Sequence, residues 1–334
     1  MSKLAKEFLR QHSDYFLDFL SEKEFEIFKK GVFEARNTSL RFSLPASVSH
    51  DNERQAKLGL NMIPIPWAPN VFTVPTMKRY NDEEKRLKLT SSPLYLDGKF
   101  TLQSASSCLP VQFLPIEKGS LVLDMAAAPG SKTVQILEKL NGTGHLIAND
   151  ISQVRLARLD QNVKRMLPTN MYKSNLQVLC SDATRRNKAF INRFDAILLD
   201  APCSGEGLFN ITNIKSFDQW SYESVERNVS IQRSLMARAV EYLKPGGYLL
   251  YSTCTLNPYE NEEQVAFVLE NFKSMQLMQL SIQIETLQTS ILESNDQVFL
   301  PGISFGSFDL SKCIRILPSC IYEGFFVSLL KKSL

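Results

Sequence analysis

Residues 120–133 read SLVLDMAAAPGSKT, and this segment changes character twice. Its first part, 120–124, is a short apolar run that ends on an acidic residue, which predicts a strand. A turn of small residues follows, and 131–140 has the spacing of a helix. A strand, a small-residue turn and a helix in this order are typical of the units that build an α/β sheet.

The same unit recurs along the chain. Further apolar runs that predict strands lie at 145–150, 175–182, 194–200, 247–253 and 324–330. Helices are predicted at 152–166, 222–243 and 258–272. Strands that alternate with helices of this length indicate βαβ units and a parallel sheet covered on both faces. The stretch 275–320 gives no clear prediction.

Three regions of the 334-residue chain differ in pattern, which favours more than one domain. Residues 1–33 carry apolar side chains at helical spacing and predict an N-terminal helical segment. Prolines interrupt 34–118, where we expect a small α+β domain. A basic stretch in it, from Lys78 to Lys88, is a candidate substrate contact. The regular units place the sheet domain at 119–334.

Composition limits the class of protein. The chain is 44% hydrophobic and 22% charged, which is ordinary for a globular protein. No apolar run approaches the roughly 18 residues that cross a bilayer, and the N-terminus lacks the apolar region of a secretory signal. We therefore expect a cytoplasmic protein that makes no membrane contact. The net charge of +3 lies within residues 1–120, and it permits an anionic partner without identifying one.

Histidine and cysteine are too sparse for common metal sites. The chain has three histidines and six cysteines, and no two cysteines form a C-x-x-C pair. Zinc ribbons and thioredoxin-like redox sites are therefore not expected, and we predict no metal. Most of these cysteines are expected to be small buried side chains, as Cys180 would be inside its strand.

The turn at 126–133, AAAPGSKT, lies where α/β proteins bind ligands. It lacks the first glycine of a phosphate-binding P-loop and the G-x-G-x-x-G of a dinucleotide site. Pro129 has no N–H to offer a phosphate. A nucleoside cofactor without phosphates remains, and S-adenosylmethionine fits because small side chains let the backbone approach its methionine part.

Acidic residues at strand ends support this cofactor. Asp150 can accept both ribose hydroxyls, Asp182 can meet the adenine amino group, and Asp200 can close the pocket near the sulfonium. Carboxyl ends of parallel strands meet at one edge of a sheet, which places these acids together. The alternative for each is a helix N-cap, a common role for aspartate after a strand.

Two cysteines also follow strands, Cys203 in DAPCSGEG and Cys254 in STCT. A methyl donor, two thiols and an acid suit methylation of C5 of a pyrimidine. A thiolate that adds at C6 makes C5 nucleophilic, and the second thiol can assist release. Asp200 can hold N3 and the exocyclic amine. The spacing does not tell which cysteine attacks. Lys132 is a candidate for lowering the thiol pKa.

Four motifs together closely resemble the RNA cytosine-C5 methyltransferase family, the Fmu/Sun group, whose members include bacterial rRNA and archaeal tRNA enzymes. They are DMAAAPGSKT at 124–133, ILLDAPCSGEG at 197–207, LKPGGYLLYSTCTLNPYENEEQV at 243–265 and EGFFVSLLKK at 323–332. The segment LQSASSCLPVQFL at 102–114 resembles the family's Q-E-A-S-S region, with Ser104 in place of glutamate. Ser319 also departs from the family, which usually has histidine there.

The resemblance implies a Rossmann-like, S-adenosylmethionine-dependent methyltransferase domain behind the small α+β domain. Its sheet would be mostly parallel and seven-stranded, with the last strand antiparallel. The resemblance makes Cys254 the nucleophile and Cys203 the releasing residue, and gives Asp200 the active-site end of the pocket. The cofactor would be held by Ala126, Ala127, Ala128, Pro129, Gly130, Ser131, Lys132, Asp150, Arg155, Asp182 and Asp200.

The expected substrate is a cytosine in rRNA or tRNA, bound by a monomer. The chain ends just after the predicted last strand, so we expect RNA contact from 34–118 and the rim of the cleft. One alternative is an exocyclic-amine methyltransferase, which needs no cysteine. Another is a non-catalytic RNA-binding or ribosome-assembly factor that keeps the fold, and a third is redox or zinc chemistry at Cys203 and Cys254.

Overall fold

The structure is a computed structural model that describes residues 2–43, 58–75, 88–218, 220–280, 287 and 296–334. Apart from Lys88, the basic stretch that begins at Lys78 lies outside the described residues. Among the helices that are described, none combines the length and the apolar character needed to cross a membrane.

Three helices open the chain, and their apolar faces pack inward. They are α1 (Ser2–Gln11), α2 (Ser13–Leu17) and α3 (Glu22–Phe33). A capping box starts α3, because Ser21 Oγ accepts from the Glu24 N–H at 3.3 Å while the Glu24 carboxylate accepts from the Ser21 N–H at 2.8 Å. Phe16 and Phe28 are completely buried, so this segment packs against the rest of the protein.

A small antiparallel sheet follows, in the strand order β2-β3-β1-β4. Its strands are β1 (Thr38–Phe42), β2 (Ile63–Ile65), β3 (Ala68–Val74) and β4 (Phe100–Leu102), and helices α4 (Pro93–Leu96) and α5 (Ala105–Phe113) lie beside β4 in sequence. Arg41 of β1 is almost fully buried and donates to Gln103 at 2.8 Å and to Glu138 at 2.5 Å. Glu138 belongs to the helix that begins in the turn at 126–133, so this buried network joins the small sheet to the large one.

The large sheet has nine strands among the described residues. These are β5 (Leu121–Asp124), β6 (His145–Asp150), β7 (Leu176–Cys180), β8 (Phe194–Asp200), β9 (Leu243–Thr253), β10 (Met275–Met278), β11 (Phe299–Pro301), β12 (Ile314–Ile316) and β13 (Phe325–Lys332). Their order is β11-β12-β13-β9-β8-β5-β6-β7, and β10 pairs with β13. Strands β5 to β9 are parallel and β13 runs antiparallel to β9, which confirms the predicted directions of the strands. The predicted number of seven strands is wrong, because the short strands β10, β11 and β12 enlarge the sheet beside β13.

Helices cover both faces of this sheet. They are α6 (Ser131–Leu140), α7 (Gln153–Met166), α8 (Thr169–Tyr172), α9 (Lys215–Asp218), α10 (Tyr222–Tyr242) and α11 (Glu262–Asn271). Successive residues of β5 enter different cores: Val122 packs with α6 and α7, and Leu123 packs with α10 and α11. This alternation is why the strand reads as a continuous apolar run.

Three local expectations are corrected. Cys180 is exposed, because it ends the edge strand β7, and it is not a buried side chain. Helix α11 begins at Glu262 and not at 258, so its N-terminus does not directly follow Cys254. The unassigned stretch 275–320 contributes β10, β11 and β12, which are too short to give a clear periodicity.

Gly130 makes the turn between β5 and α6 possible. It has φ +103°, and a Cβ there would meet the Leu159 Cα at 3.0 Å. We expect Gly130→Ala to lower the free energy of unfolding by about 2–3 kcal/mol. Gly119→Ala, at φ +86° with nothing within 4 Å, is the control and should lose only about 1 kcal/mol. Equal losses in denaturant titrations would show that α7 yields to the added methyl group.

Candidate active site

A cleft of about 240 Å³ opens at the carboxyl ends of the parallel strands. It lies where the strand order turns, because β6 continues the sheet on one side of β5 and β8 continues it on the other. Open α/β sheets bind their ligands at such a point. Six of the predicted site residues line the cleft: Ala126, Ala128, Asp150, Arg155, Asp182 and Asp200.

Asp150 ends β6 and is 2% exposed. Its carboxylate accepts from the backbone N–H groups of Ala128 at 3.2 Å and Ser152 at 2.9 Å. Arg155 braces it, since Nη1 lies 3.3 Å from the carboxylate while Nη2 donates to the Ala128 carbonyl at 2.5 Å. Ser152, not Asp150, caps α7. The helix-cap alternative therefore fails for Asp150.

Asp182 follows β7 at the other end of the cleft. Its Oδ1 accepts from the hydroxyl of Thr184 at 2.6 Å and from the N–H of Thr184 at 3.0 Å. These hydrogen bonds lower the pKa of Asp182, so the carboxylate is charged at neutral pH. The contact spans two residues and starts no helix, and the second carboxylate oxygen lies 3.4 Å from Nε of Arg185.

Asp124, the acid that ends β5, has a different position. It is 1% exposed and accepts from the Thr133 hydroxyl at 2.9 Å, which ties α6 to β5 beneath the cofactor turn. Burial raises its pKa to about 7, against the hydrogen bond from Thr133. Asp124 is thus a support of the turn and does not line the cleft.

The turn itself is only partly exposed to the cleft. Ala126 and Ala128 line it, whereas Ala127, Pro129, Gly130 and Ser131 do not. The Ala127 N–H donates to the Asn149 carbonyl at 2.8 Å, which fixes the turn on β6. The roles of these four residues toward a cofactor stay predictions.

Lys132 and Asp200 form an ion pair in the floor of the site. The Lys132 ammonium donates to Asp200 Oδ2 at 2.7 Å and to the Ser107 hydroxyl at 2.7 Å, and Asp200 Oδ1 accepts from Ser252 at 2.7 Å. Burial works against the charged amine, but Asp200 outweighs it and raises the pKa of Lys132. The Asp200 carboxylate offsets the charge of the Lys132 ammonium, so this ion pair argues against a role for Lys132 in lowering the pKa of a thiol. That role stays a prediction.

The two predicted cysteines meet. Asp200 pairs with Ser252 across the parallel strands β8 and β9, so the loops that follow leave the sheet side by side. Their sulfurs are 3.0 Å apart, and the Cys254 N–H points at the Cys203 sulfur, 3.2 Å away. The contact with Cys254 and burial both raise the pKa of Cys203, so this thiol keeps its proton.

The sequence analysis missed the polar groups that support these two loops. Glu206 and Glu260 are completely buried, and each lies within a few residues of one of the two cysteines. Glu206 accepts from the Tyr15 hydroxyl at 2.5 Å, from the Trp220 indole at 2.9 Å and from the Leu256 N–H at 3.3 Å. Acidic residues in loops are usually solvated, so the sequence gives no sign that these two are buried. The one signal that could have pointed to them is their position inside the two cysteine motifs.

No group of three or more His, Cys, Asp or Glu side chains that could hold a metal occurs within the described ranges. The aromatic residues near the cysteine loops in sequence differ in their exposure. Trp220 is 7% exposed, whereas Tyr222 and Tyr259 are more than half exposed.

A sheet of five parallel strands that antiparallel strands continue on one side, with an acid-lined cleft at its turning point, is the architecture of the Rossmann-like methyltransferases that use S-adenosylmethionine. A family model described as 16S rRNA methyltransferase RsmB/F matches residues 111–331. The chain belongs to this RsmB/F methyltransferase family.

Known proteins agree with this assignment. The ribosomal RNA small subunit methyltransferase F of Escherichia fergusonii is 36% identical over 276 residues, which cover 79% of this chain and 55% of that protein. The protein of the same name from Citrobacter koseri is 33% identical and is matched by 97% of this chain over 65% of its own length. The chain therefore spans between about half and two thirds of these relatives.

Solved structures show the same fold. A methyltransferase homologue from Pyrococcus horikoshii has a TM-score of 0.76 and 27% identity, over 98% of both chains. A structure named NSun6 from Pyrococcus horikoshii with SFG has a TM-score of 0.75 at 23% identity, over 96% of this chain and 97% of that one.

Proposed function

We propose that this protein methylates C5 of a cytosine in RNA, with S-adenosylmethionine as the methyl donor. The observation that carries the proposal is the pair of cysteine sulfurs 3.0 Å apart, on the two loops that follow the paired strand ends Asp200 and Ser252. A methyltransferase that modifies an amine or a hydroxyl has no use for two adjacent thiols, whereas C5 of a pyrimidine needs one to activate the ring and gains from a second on release.

The residues of the cleft suit the cofactor. Asp150 uses both oxygens in hydrogen bonds to backbone groups, and a carboxylate has about four acceptor sites, so capacity remains for ribose hydroxyls. Asp182 offers an acceptor to an adenine amine. The small side chains of Ala126 and Ala128 leave space along the turn, and Arg155 is the only basic side chain among the lining residues described. These donors and acceptors favour a nucleoside without phosphates.

Cys254 is the nucleophile in this proposal. Its sulfur forms a bond to C6 of the cytosine, and the electron pair of the C5–C6 double bond moves toward C5 and N3. Asp200, which lies at the same edge of the sheet, accepts from the exocyclic amine and, in its acid form, gives a proton to N3, where negative charge would otherwise develop. Bound S-adenosylmethionine supplies the electrophilic methyl group that C5 accepts.

Cys203 assists the second half of the reaction. After methyl transfer, C5 gives its proton to water, the bond between C6 and the Cys254 sulfur breaks, and N3 returns its proton to Asp200, which restores the aromatic ring. The departing sulfur leaves as a thiolate and needs a proton or a hydrogen bond. Cys203 is suited to this because its thiol keeps its proton and lies against Cys254.

The substrate is a nucleotide that can leave its stack. Addition at C6 needs access to the face of the base, which costs least in a single-stranded or bulged RNA. We propose rRNA of the small ribosomal subunit as the first substrate to test, because both bacterial relatives carry it in their names.

A trapped adduct tests the proposal. We expect Cys203→Ala, incubated with cellular RNA and S-adenosylmethionine, to accumulate a protein–RNA complex that survives a denaturing gel, because addition proceeds and release is slowed. Sequencing the captured RNA identifies the target cytosine. Cys320→Ala is the matched control and should give no complex, since it leaves the pair of Cys203 and Cys254 unchanged. Absence of the complex in Cys203→Ala, or its persistence when Cys254→Ala is added, would refute the mechanism.

A further inference from the structure

We propose that Glu260 is a positioning residue that holds Cys203 against Cys254 and thereby sets the rate at which the covalent adduct is released. The inference rests on the proposed function. Glu260 touches neither sulfur itself. It acts through the residues on both sides of Cys203 and through the loop that carries Cys254.

The first contact fixes the residue after Cys203. Both carboxylate oxygens of Glu260 accept from the backbone N–H of Ser204, at 3.0 and 3.3 Å, and the Ser204 hydroxyl donates to the same carboxylate. A carboxylate that receives a backbone N–H and a hydroxyl from one residue restricts both its position and its rotation.

The second contact fixes the residue before Cys203. The side-chain amide of Gln232, from α10, donates to Glu260 at 2.9 Å and to the Pro202 carbonyl at 2.8 Å. Gln232 is completely buried. Cys203 is therefore held between two anchored neighbours, and Glu260 and Gln232 together form the clamp.

The clamp is also part of the loop that carries Cys254. Glu260 follows Cys254 in the same segment, and its carbonyl accepts from the Tyr251 hydroxyl of β9 at 2.5 Å. The Ser204 hydroxyl lies 3.0 Å from the hydroxyl of Thr255, the residue next to Cys254. Movement of Glu260 would therefore change the separation of the two sulfurs, and not only the position of one.

Stability alone is a poor reason to keep this group. Glu260 is completely buried, and the side chains described as hydrogen bonding to it, Ser204 and Gln232, are neutral. Burial, and then the neighbouring Glu206, raise the pKa of Glu260 to about 8, so the charged form is unfavourable at this position. The presence of Glu260 despite this cost to folding is explained if the distance between the two thiols depends on its carboxyl group.

Adduct release tests the inference. Glu260→Gln keeps the size of the side chain, but it presents either the amide NH2 group or a single oxygen to Ser204 where the carboxylate presents two oxygens. We expect it to form the adduct at the wild-type rate and to release it about 10- to 100-fold more slowly, since a shift of about 1 Å at a reacting group has an effect of that size. KM for S-adenosylmethionine should not change. Glu263→Gln is the control, because Glu263 pairs with Arg233 at the surface.

A second background separates positioning from general damage. In Cys203→Ala, Glu260→Gln should slow release no further, because its effect passes through Cys203, whereas a merely structural role would slow both proteins. Gln232→Met loosens the Pro202 side of the clamp without changing Glu260, and it should also slow release. This variant tests the inference if Glu260→Gln does not fold. Release at the wild-type rate in the folded variants overturns the inference. A Cys203→Ala protein that forms no adduct at all overturns the proposed function itself.

Discussion

Cys254→Ala is expected to lower the rate of 5-methylcytosine formation by at least about 10³-fold. Without the sulfur, C5 of the cytosine has no enamine-like character and is too weak a nucleophile for the methyl group. The remaining site still orients the base and the cofactor, but orientation does not replace the missing bond to C6. The measurement is transfer of labelled methyl groups from S-adenosylmethionine into RNA, with the product nucleoside identified by mass spectrometry.

Two controls make this loss interpretable. Cys320→Ala removes a thiol that is also half-buried but lies away from the cleft, and should keep the wild-type rate. Calorimetry should show that Cys254→Ala binds S-adenosylmethionine as the unchanged protein does, because Cys254 does not line the cleft. A Cys254→Ala protein that still transfers methyl groups would favour methylation of an exocyclic amine, which uses no thiol.

The central parallel strands β5, β6 and β8 were predictable because they are buried on both faces. The adjacent residues Val122 and Leu123 of β5 belong to opposite cores, so neither face of this strand offers a position for a polar side chain. The same rule failed at the edges of the sheet. Cys180 ends the strand that has one neighbour only, and the short antiparallel strands within 275–320 pair with sequence-distant residues such as those of β13. Their assignment depends on contacts that no local pattern records.

The site divides in the same way. Asp150, Asp182, Asp200 and the two cysteines follow strands, and parallel topology alone brings strand ends together. Their supports come from elsewhere: Gln232 reaches the Cys203 loop from the middle of α10, and Tyr15 reaches Glu206 from the N-terminal segment. A sequence shows that a helix has a polar residue, but it does not show which loop that residue will meet.

Asp200 gives the second large effect. Asp200→Asn keeps the shape of the side chain and its contact with Ser252, but removes the acid that gives a proton to N3 of the base and the charge that pairs with Lys132. We expect kcat for RNA methylation to fall by about 10²- to 10⁴-fold, the range for loss of a positioned acid or base. Asp160→Asn, a change in an exposed ion pair of α7, is the control and should leave kcat unchanged.

Asp200→Asn also leaves the buried Lys132 ammonium without its carboxylate, so lost stability must be separated from lost chemistry. Breaking a buried pair on one side is more damaging than removing both partners. The double variant Asp200→Asn with Lys132→Met should therefore recover much of the free energy of unfolding that the single variant loses, while methylation stays low. If activity returns together with stability, the carboxylate only balances Lys132. If stability returns alone, lost stability is not the cause of the low activity, as expected when the carboxyl group acts on the base.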